Sequence, residues 1–83
     1  MISVKDAYKN LQKKIPNGHV VKGVCKFRNG YLFQVGDPKE QIDMDPYYFV
    51  SETTGKVSGA PFPPYEILPA FYNDSIDVKS LSA

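Results

Sequence analysis

The first pattern in the chain is an apolar stripe at helical spacing. Hydrophobic residues recur at intervals of three or four, at Val4, Ala7, Tyr8, Leu11 and Ile15. This spacing predicts a helix of about three turns with one buried face. Ser3 stands at the N-cap position and Asp6 lies near the positive end of the helix dipole. The turn residues 16–18 are expected to end the helix.

A first β-hairpin is predicted after this helix, with strands at 20–28 and 31–35 around Asn29-Gly30. A two-residue turn at Asn29-Gly30 would mix basic and aromatic side chains on one face. A three-residue turn with a left-handed Gly30 pairs Phe27 with Tyr31 instead, and this register is preferred. It collects six apolar residues on one face: Val21, Cys25, Phe27, Tyr31, Phe33 and Val35. The opposite face then carries Val20, Lys22, Val24, Lys26 and Arg28.

A second hairpin is predicted over residues 47–57, where strand-forming residues precede a Thr-Thr-Gly turn. A turn at 53–55 sets Glu52 opposite Lys56, a favourable cross-strand charge pair, and brings Ser51 near Val57. Between the hairpins, residues 36–46 form a polar, acidic loop.

The C-terminal part of the chain predicts a short helical segment at 65–72, in which Pro69 would break or kink a longer helix. Ile76 and Val78 belong either to a last short strand or to a tail. The whole pattern predicts an α+β fold. An N-terminal helix packs on a three- to four-stranded antiparallel sheet of two hairpins, followed by the short helical segment. Eighty-three residues form a single domain, 1–83.

Charge is distributed unevenly, although the net charge is only +1. Residues 1–30 contain seven Lys and Arg residues and one acid, whereas residues 31–83 contain three lysines and eight acids. The two halves are therefore expected to attract each other in the fold. The alternative is a basic patch for nucleic acid, with Lys22, Lys26 and Arg28 as the contact residues.

No combination of residues predicts catalysis, a cofactor or a metal site. His19 is the single histidine and has no partner at ligand spacing. Cys25 alternates with apolar residues and is expected in the core. The acids Asp37, Glu40, Asp43 and Asp45 lack the glycine and terminal glutamate of a calcium loop, so a solvated acidic loop is expected. The protein is therefore predicted not to be an enzyme.

Aromatic residues are concentrated near the C-terminus, among prolines. Phe62, Tyr65, Phe71 and Tyr72 are accompanied by Pro61, Pro63, Pro64 and Pro69. One interpretation is that this segment covers the open face of the sheet and completes the core. The other is a protein-contact surface, because large rigid rings are good interface anchors.

The opening Ser3-Val4-Lys5-Asp6-Ala7 resembles the start of PepSY-like domains. The break before a Val-rich strand, the short Gly turn and the ending Thr54-Gly55-Lys56-Val57 are also similar to that group. The resemblance covers about residues 2–58. It implies an α+β fold and modulation of peptidases or of proteins at the cell envelope. Small immunity-type and prophage-encoded proteins are similar as well.

These observations favour a small non-catalytic module that binds a partner protein or itself, plausibly from a phage or mobile element. Nucleic-acid association is the first alternative, and inhibition of a peptidase or toxin is the second. No apolar run reaches the roughly 20 residues that span a bilayer, and the N-terminus lacks a signal-peptide pattern. With a single cysteine, these features predict a cytoplasmic protein. No membrane partner and no small-molecule substrate are expected.

Overall fold

A computed structural model of the chain describes residues 2–39, 47–60 and 62–81. The elements are α1 (Val4–Gln12), β1 (Val20–Phe27), β2 (Gly30–Gly36), β3 (Tyr47–Ser51), β4 (Val57–Gly59), α2 (Pro64–Asn73), β5 (Ser75–Ile76) and a 3₁₀ helix (Val78–Leu81). The α+β fold, with an N-terminal helix, an antiparallel sheet and a second helix near the C-terminus, is as predicted from the sequence.

The sheet has five strands in the order β4-β3-β2-β1-β5, and all its pairs are antiparallel. This exceeds the predicted three to four strands, because β5 adds to the outer edge of β1. Ile76 lies opposite Val24 in that pair, and Ser75 lies opposite Cys25. Ile76 therefore belongs to a strand, whereas Val78 begins the 3₁₀ helix.

The N-terminal helix confirms the predicted pattern. The Ser3 hydroxyl accepts a hydrogen bond from the backbone N–H of Asp6 at 3.2 Å, as an N-cap does. Ala7 and Leu11 are fully buried against the sheet. The remaining residues of the apolar stripe, Val4, Tyr8 and Ile15, pack around them. One face of α1 is thus fixed to the sheet, and its lysines remain on the other faces.

The predicted register of the first hairpin is wrong by one residue. Phe27 lies opposite Gly30, and Cys25 lies opposite Leu32 rather than Phe33. The turn is Arg28-Asn29, and the positive φ of 51° belongs to Arg28 rather than to Gly30. The predicted pairing of Phe27 with Tyr31 therefore does not occur.

The shifted register places apolar side chains on both faces of the sheet. On the α1 face, a first core contains Val24, Phe33, Val35 and Val50 together with Ala7, Leu11, Val21 and Leu81. On the α2 face, a second core contains Cys25, Phe27, Leu32, Ile67 and Ala70. The predicted single apolar face does not exist. Val24, which the sequence placed beside the basic residues, is 1% exposed.

The second hairpin also differs from its predicted register. Val50 lies opposite Val57, and the N–H of Ser51 donates to the carbonyl of Lys56. Glu52 is therefore not the cross-strand partner of Lys56. Its carboxylate pairs with Lys26 instead. This ion pair connects the basic first half of the chain to the acidic second half, as the charge distribution predicted.

Candidate functional site: the outer face of the second helix

The second helix begins where the proline-rich segment ends. Pro63 is the extended N-cap residue, and Pro64 is the first helical residue, where the missing N–H costs nothing. Pro69 lies inside the helix and has no N–H to donate to the preceding turn. The helix nevertheless continues to Asn73, so the proline does not end it. Packing of its inner face on the sheet offsets the missing bond.

The four aromatic residues predicted as protein contacts divide into two pairs. Phe62 and Phe71 are half-buried against the second core. The Phe62 ring centroid lies 4.8 Å from that of Phe27 and 5.8 Å from that of Phe49. The Phe71 ring lies 5.5 Å from that of Tyr47. These two phenylalanines therefore complete the core, as the first interpretation of the C-terminal segment expected.

The two tyrosines lie on the opposite side of the helix and face solvent. Tyr65 is 77% exposed and Tyr72 is 88% exposed. Leu68, which the sequence analysis did not name, lies between them and is 58% exposed. The spacing of three and four residues places all three side chains on one face of α2. We call Tyr65, Leu68 and Tyr72 the outer stripe.

The outer stripe rests on a helix that is fixed in place. Ile67 and Ala70 point to the sheet and are buried. Glu66 in the first turn pairs with Arg28 at 3.1 Å. The Arg28 guanidinium also lies 4.9 Å from the Phe62 ring centroid and 5.1 Å from that of Phe27. These contacts connect α2 to the β1–β2 turn.

The three basic residues predicted as nucleic-acid contacts do not form one free patch. Lys26 pairs with Glu52 and lies over the Tyr31 ring. Arg28 pairs with Glu66 on the α2 side of the sheet. Lys22 lies at the bulge of β1 and is half-buried. The charges of Lys26 and Arg28 are thus already matched by carboxylates.

The residues considered for chemistry are dispersed. His19 Nδ1 is buried without a hydrogen-bond partner among the described residues. Asp37 accepts a hydrogen bond from the N–H of Lys39 at 2.8 Å, and Glu40, Asp43 and Asp45 lie outside the described residues. In the described part of the chain, no group of three or more His, Cys, Asp and Glu side chains could hold a metal ion.

Cys25 is a buried core residue, and its surroundings suppress the thiolate. Its side chain is fully buried in the second core. Burial, with a smaller contribution from the nearby charge of Asp74, raises the pKa of the Cys25 thiol from 9.0 to about 11. A hydrogen bond with the Leu32 backbone acts in the opposite direction but is outweighed. The thiol therefore stays protonated at neutral pH and is a poor nucleophile.

Among the described residues, no helix has the length and apolar character needed to cross a membrane. Comparisons of the chain with protein-family models, with curated proteins and with solved structures gave no match. The resemblance to PepSY-like domains therefore stays a prediction, and the geometry of the outer stripe is the basis for a functional proposal.

Proposed function

We propose that this protein is a non-catalytic binding module of the cytoplasm that docks a partner protein on the outer stripe of α2. The observation that carries the proposal is the clustering of exposed apolar side chains. The described residues include four exposed large hydrophobic side chains, and three of them form the outer stripe. The cytoplasmic setting is supported by the free, buried thiol of Cys25, which fits a reducing compartment.

The surface is suited to binding because it is formed before a partner arrives. The inner residues Ile67 and Ala70 fix the helix, so docking would not have to order α2. Tyrosine also presents a large contact area with few rotatable bonds. Apolar anchors at positions i, i+3 and i+7 of a helix are the pattern by which amphipathic helices bind grooves on other proteins.

The occupant we favour is an apolar groove on another protein rather than a second copy of this chain. The three side chains of the outer stripe present roughly 400 Å² of surface. A stable interface buries about 800 Å² on each partner. Two outer stripes packed against each other would fall short of that area. A groove can also contact the flanks of the helix, including exposed Pro69 and Asn73.

The nucleic-acid alternative has less support. Binding to a phosphate backbone depends on free cationic side chains. Lys26 and Arg28 are both held in ion pairs with carboxylates. The geometry therefore favours protein docking, and inhibition of a peptidase or toxin would be one form of it.

The proposal is tested by affinity capture from cell lysate with the wild-type chain and a Leu68→Ser/Tyr72→Ser variant. These exposed positions allow substitution with little effect on folding, whereas Phe71 contributes to the core. Val20→Ser is the matched control, because Val20 is 42% exposed and lies in β1, outside α2. Thermal unfolding of all three proteins checks that each is folded.

We expect a protein that is retained in stoichiometric amount by the wild type and by Val20→Ser, and lost by the double variant. Chemical cross-links from that protein should map to residues 65–72. Equal retention by all three chains, or retention of no protein, would overturn docking through the outer stripe. Retention of nucleic acid that is lost on raising the salt concentration would favour the alternative instead.

A further inference from the structure

A cleft lies on the opposite side of the molecule from the outer stripe, between the C-terminal half of α1 and the β3–β4 turn. It has a volume of about 270 Å³ and is lined by Asn10, Lys13, Lys14, Gly55, Lys56 and Val57. This volume is just below the range of pockets for drug-sized molecules, so the cleft suits a small ligand or one group of a larger ligand. We call it the lysine cleft.

Three of the six lining residues are lysines, and none is acidic. Among the described residues, Lys13, Lys14 and Lys56 form no ion pair. All three lysines are exposed. Three like charges on residues that line one concave surface repel each other, and a bound anion would relieve that repulsion.

The walls of the lysine cleft are connected by a specific contact. The side-chain amide of Asn10 donates a hydrogen bond to the carbonyl of Gly55 at 3.1 Å. Gly55 has a φ of 73°, and a Cβ at this position would lie 2.9 Å from the same amide nitrogen. The turn therefore needs glycine both for its backbone conformation and for the close approach of α1. This contact fixes Lys56 relative to the C-terminal end of α1, which Lys13 and Lys14 follow directly.

Each of the three lysines has a structural reason for its position, but these reasons do not explain why all three line the same cleft. Lys13 and Lys14 lie at the negative end of the α1 dipole, where basic residues are favourable. Lys56 precedes the edge strand β4, and lysines protect exposed strand edges from pairing. Neither reason requires the three lysines to line one cleft together with Asn10.

We propose that the lysine cleft binds a phosphate-type oxyanion that carries two or more negative charges, either free or as part of a larger molecule. Lysine ammonium groups bind phosphate as point charges. A phosphate group carries about −1.5 to −2 at neutral pH, which balances most of the charge of the cleft. A single carboxylate would leave two ammonium groups unmatched. The small volume of about 270 Å³ favours a compact group over the long backbone of a duplex.

The test is a titration of the ¹⁵N-labelled chain, followed by NMR, with inorganic pyrophosphate, inorganic phosphate and acetate at constant ionic strength. A separate titration with ADP distinguishes binding of a nucleotide from binding of the free anion. We expect saturable shifts of the amides of residues 10–14 and 55–57 with pyrophosphate, weaker shifts with phosphate and none with acetate. Tighter binding of ADP than of pyrophosphate would identify the phosphate as part of a nucleotide.

Lys56→Gln should weaken pyrophosphate binding roughly tenfold, as expected for loss of one charge-assisted contact. Lys13→Gln should have a similar effect. Lys39→Gln is the matched control, because Lys39 follows β2 at the end of the sheet away from the β3–β4 turn. Shifts spread over all lysines, equal binding of acetate, or equal effects of Lys39→Gln and Lys56→Gln would overturn the proposal. The outer stripe is untouched by these variants, so this result is independent of partner docking.

Discussion

At the residue scale, Gly30 is a glycine with no space for a side chain. It begins β2 opposite Ser51 of β3. A Cβ on Gly30 would lie 2.3 Å from the carbonyl oxygen of Val50 and 2.6 Å from the Phe49 ring. The first of these contacts is with backbone, which cannot move away without disturbing the sheet. The glycine is therefore required for the approach of β3, not for a left-handed turn.

We expect Gly30→Ala to lower the free energy of unfolding by about 1–3 kcal/mol, the usual cost of overpacking. Gly59→Ala is the matched control in β4, where an added Cβ would meet no atom within 4 Å. Its free energy of unfolding should change little or rise by up to about 1 kcal/mol. Urea denaturation of both variants measures the difference, and equal stabilities would contradict the close approach at Gly30.

Cys25 makes the stability of the fold depend on alkaline pH. Because burial raises its pKa from 9.0 to about 11, the folded state holds the thiol proton more tightly than the unfolded state. Its contribution is complete below pH 9 and is lost as the pH rises towards 11, by on the order of 2 kcal/mol. The test is denaturation of the wild type and of Cys25→Ala at several pH values between 8 and 11.

All other ionisable residues are identical in the two proteins, so the difference between the two curves isolates Cys25. We expect the wild type to lose more stability than Cys25→Ala over this interval. Cys25→Ala should start lower because it leaves a small cavity in the second core. Parallel curves for the two proteins would show that the thiol pKa is not raised by folding.

At the element scale, α2 has an inner and an outer face that differ at adjacent residues. Ile67 is 3% exposed in the second core, whereas Leu68 is 58% exposed in the outer stripe. Ile67→Ala should cost about 2–4 kcal/mol of stability, because it removes buried methyl groups and leaves a cavity. Leu68→Ala should cost less than about 0.5 kcal/mol. Chemical denaturation of the two variants checks the orientation of the helix, and similar losses would contradict it.

The register of the strands could not be predicted from the sequence because β1 and β2 are buried on both faces. Val24 and Cys25 are adjacent and both buried, as are Leu32 and Phe33. A strand with apolar residues on both sides lacks the alternation that identifies its inner face. The α1 helix was predictable because it has only one buried face. The sequence also does not indicate the positive φ of Arg28, because glycine or asparagine is the residue expected at a position with positive φ.

The candidate sites were predictable only in part, for a related reason. Tyr65 and Tyr72 can be picked out of the sequence because they are aromatic. Leu68 can be assigned to the same face only once the helical phase of α2 is known. The lysine cleft brings Lys14, just after α1, to the same surface as Lys56, which follows a turn far along the chain. No local pattern connects them, because the contact between Asn10 and Gly55 brings them together.

At the scale of the whole molecule, the central sheet connects two cores that share no helix. The first core lies between α1, the 3₁₀ helix and one face of the sheet, and the second lies between α2 and the other face. β1 and β2 contribute buried residues to both. The described ion pairs, Lys26 with Glu52 and Arg28 with Glu66, join the first 30 residues to the rest.

Because the same strands form the floor of both cores, we expect the two layers to unfold together. A variant in either core should lower the midpoint of one common transition rather than create a second one. Leu11→Ala in the first core and Ile67→Ala in the second should each lower the free energy of unfolding by about 2–4 kcal/mol.

Thermal unfolding followed by far-UV circular dichroism and by tyrosine fluorescence should give coincident curves for each variant. An early fluorescence change in Ile67→Ala, with the circular dichroism of the sheet retained, would mean that α2 detaches alone. Coincident curves would instead mean that the outer stripe is presented only while the whole sheet is intact, since its helix would have no stability apart from the sheet.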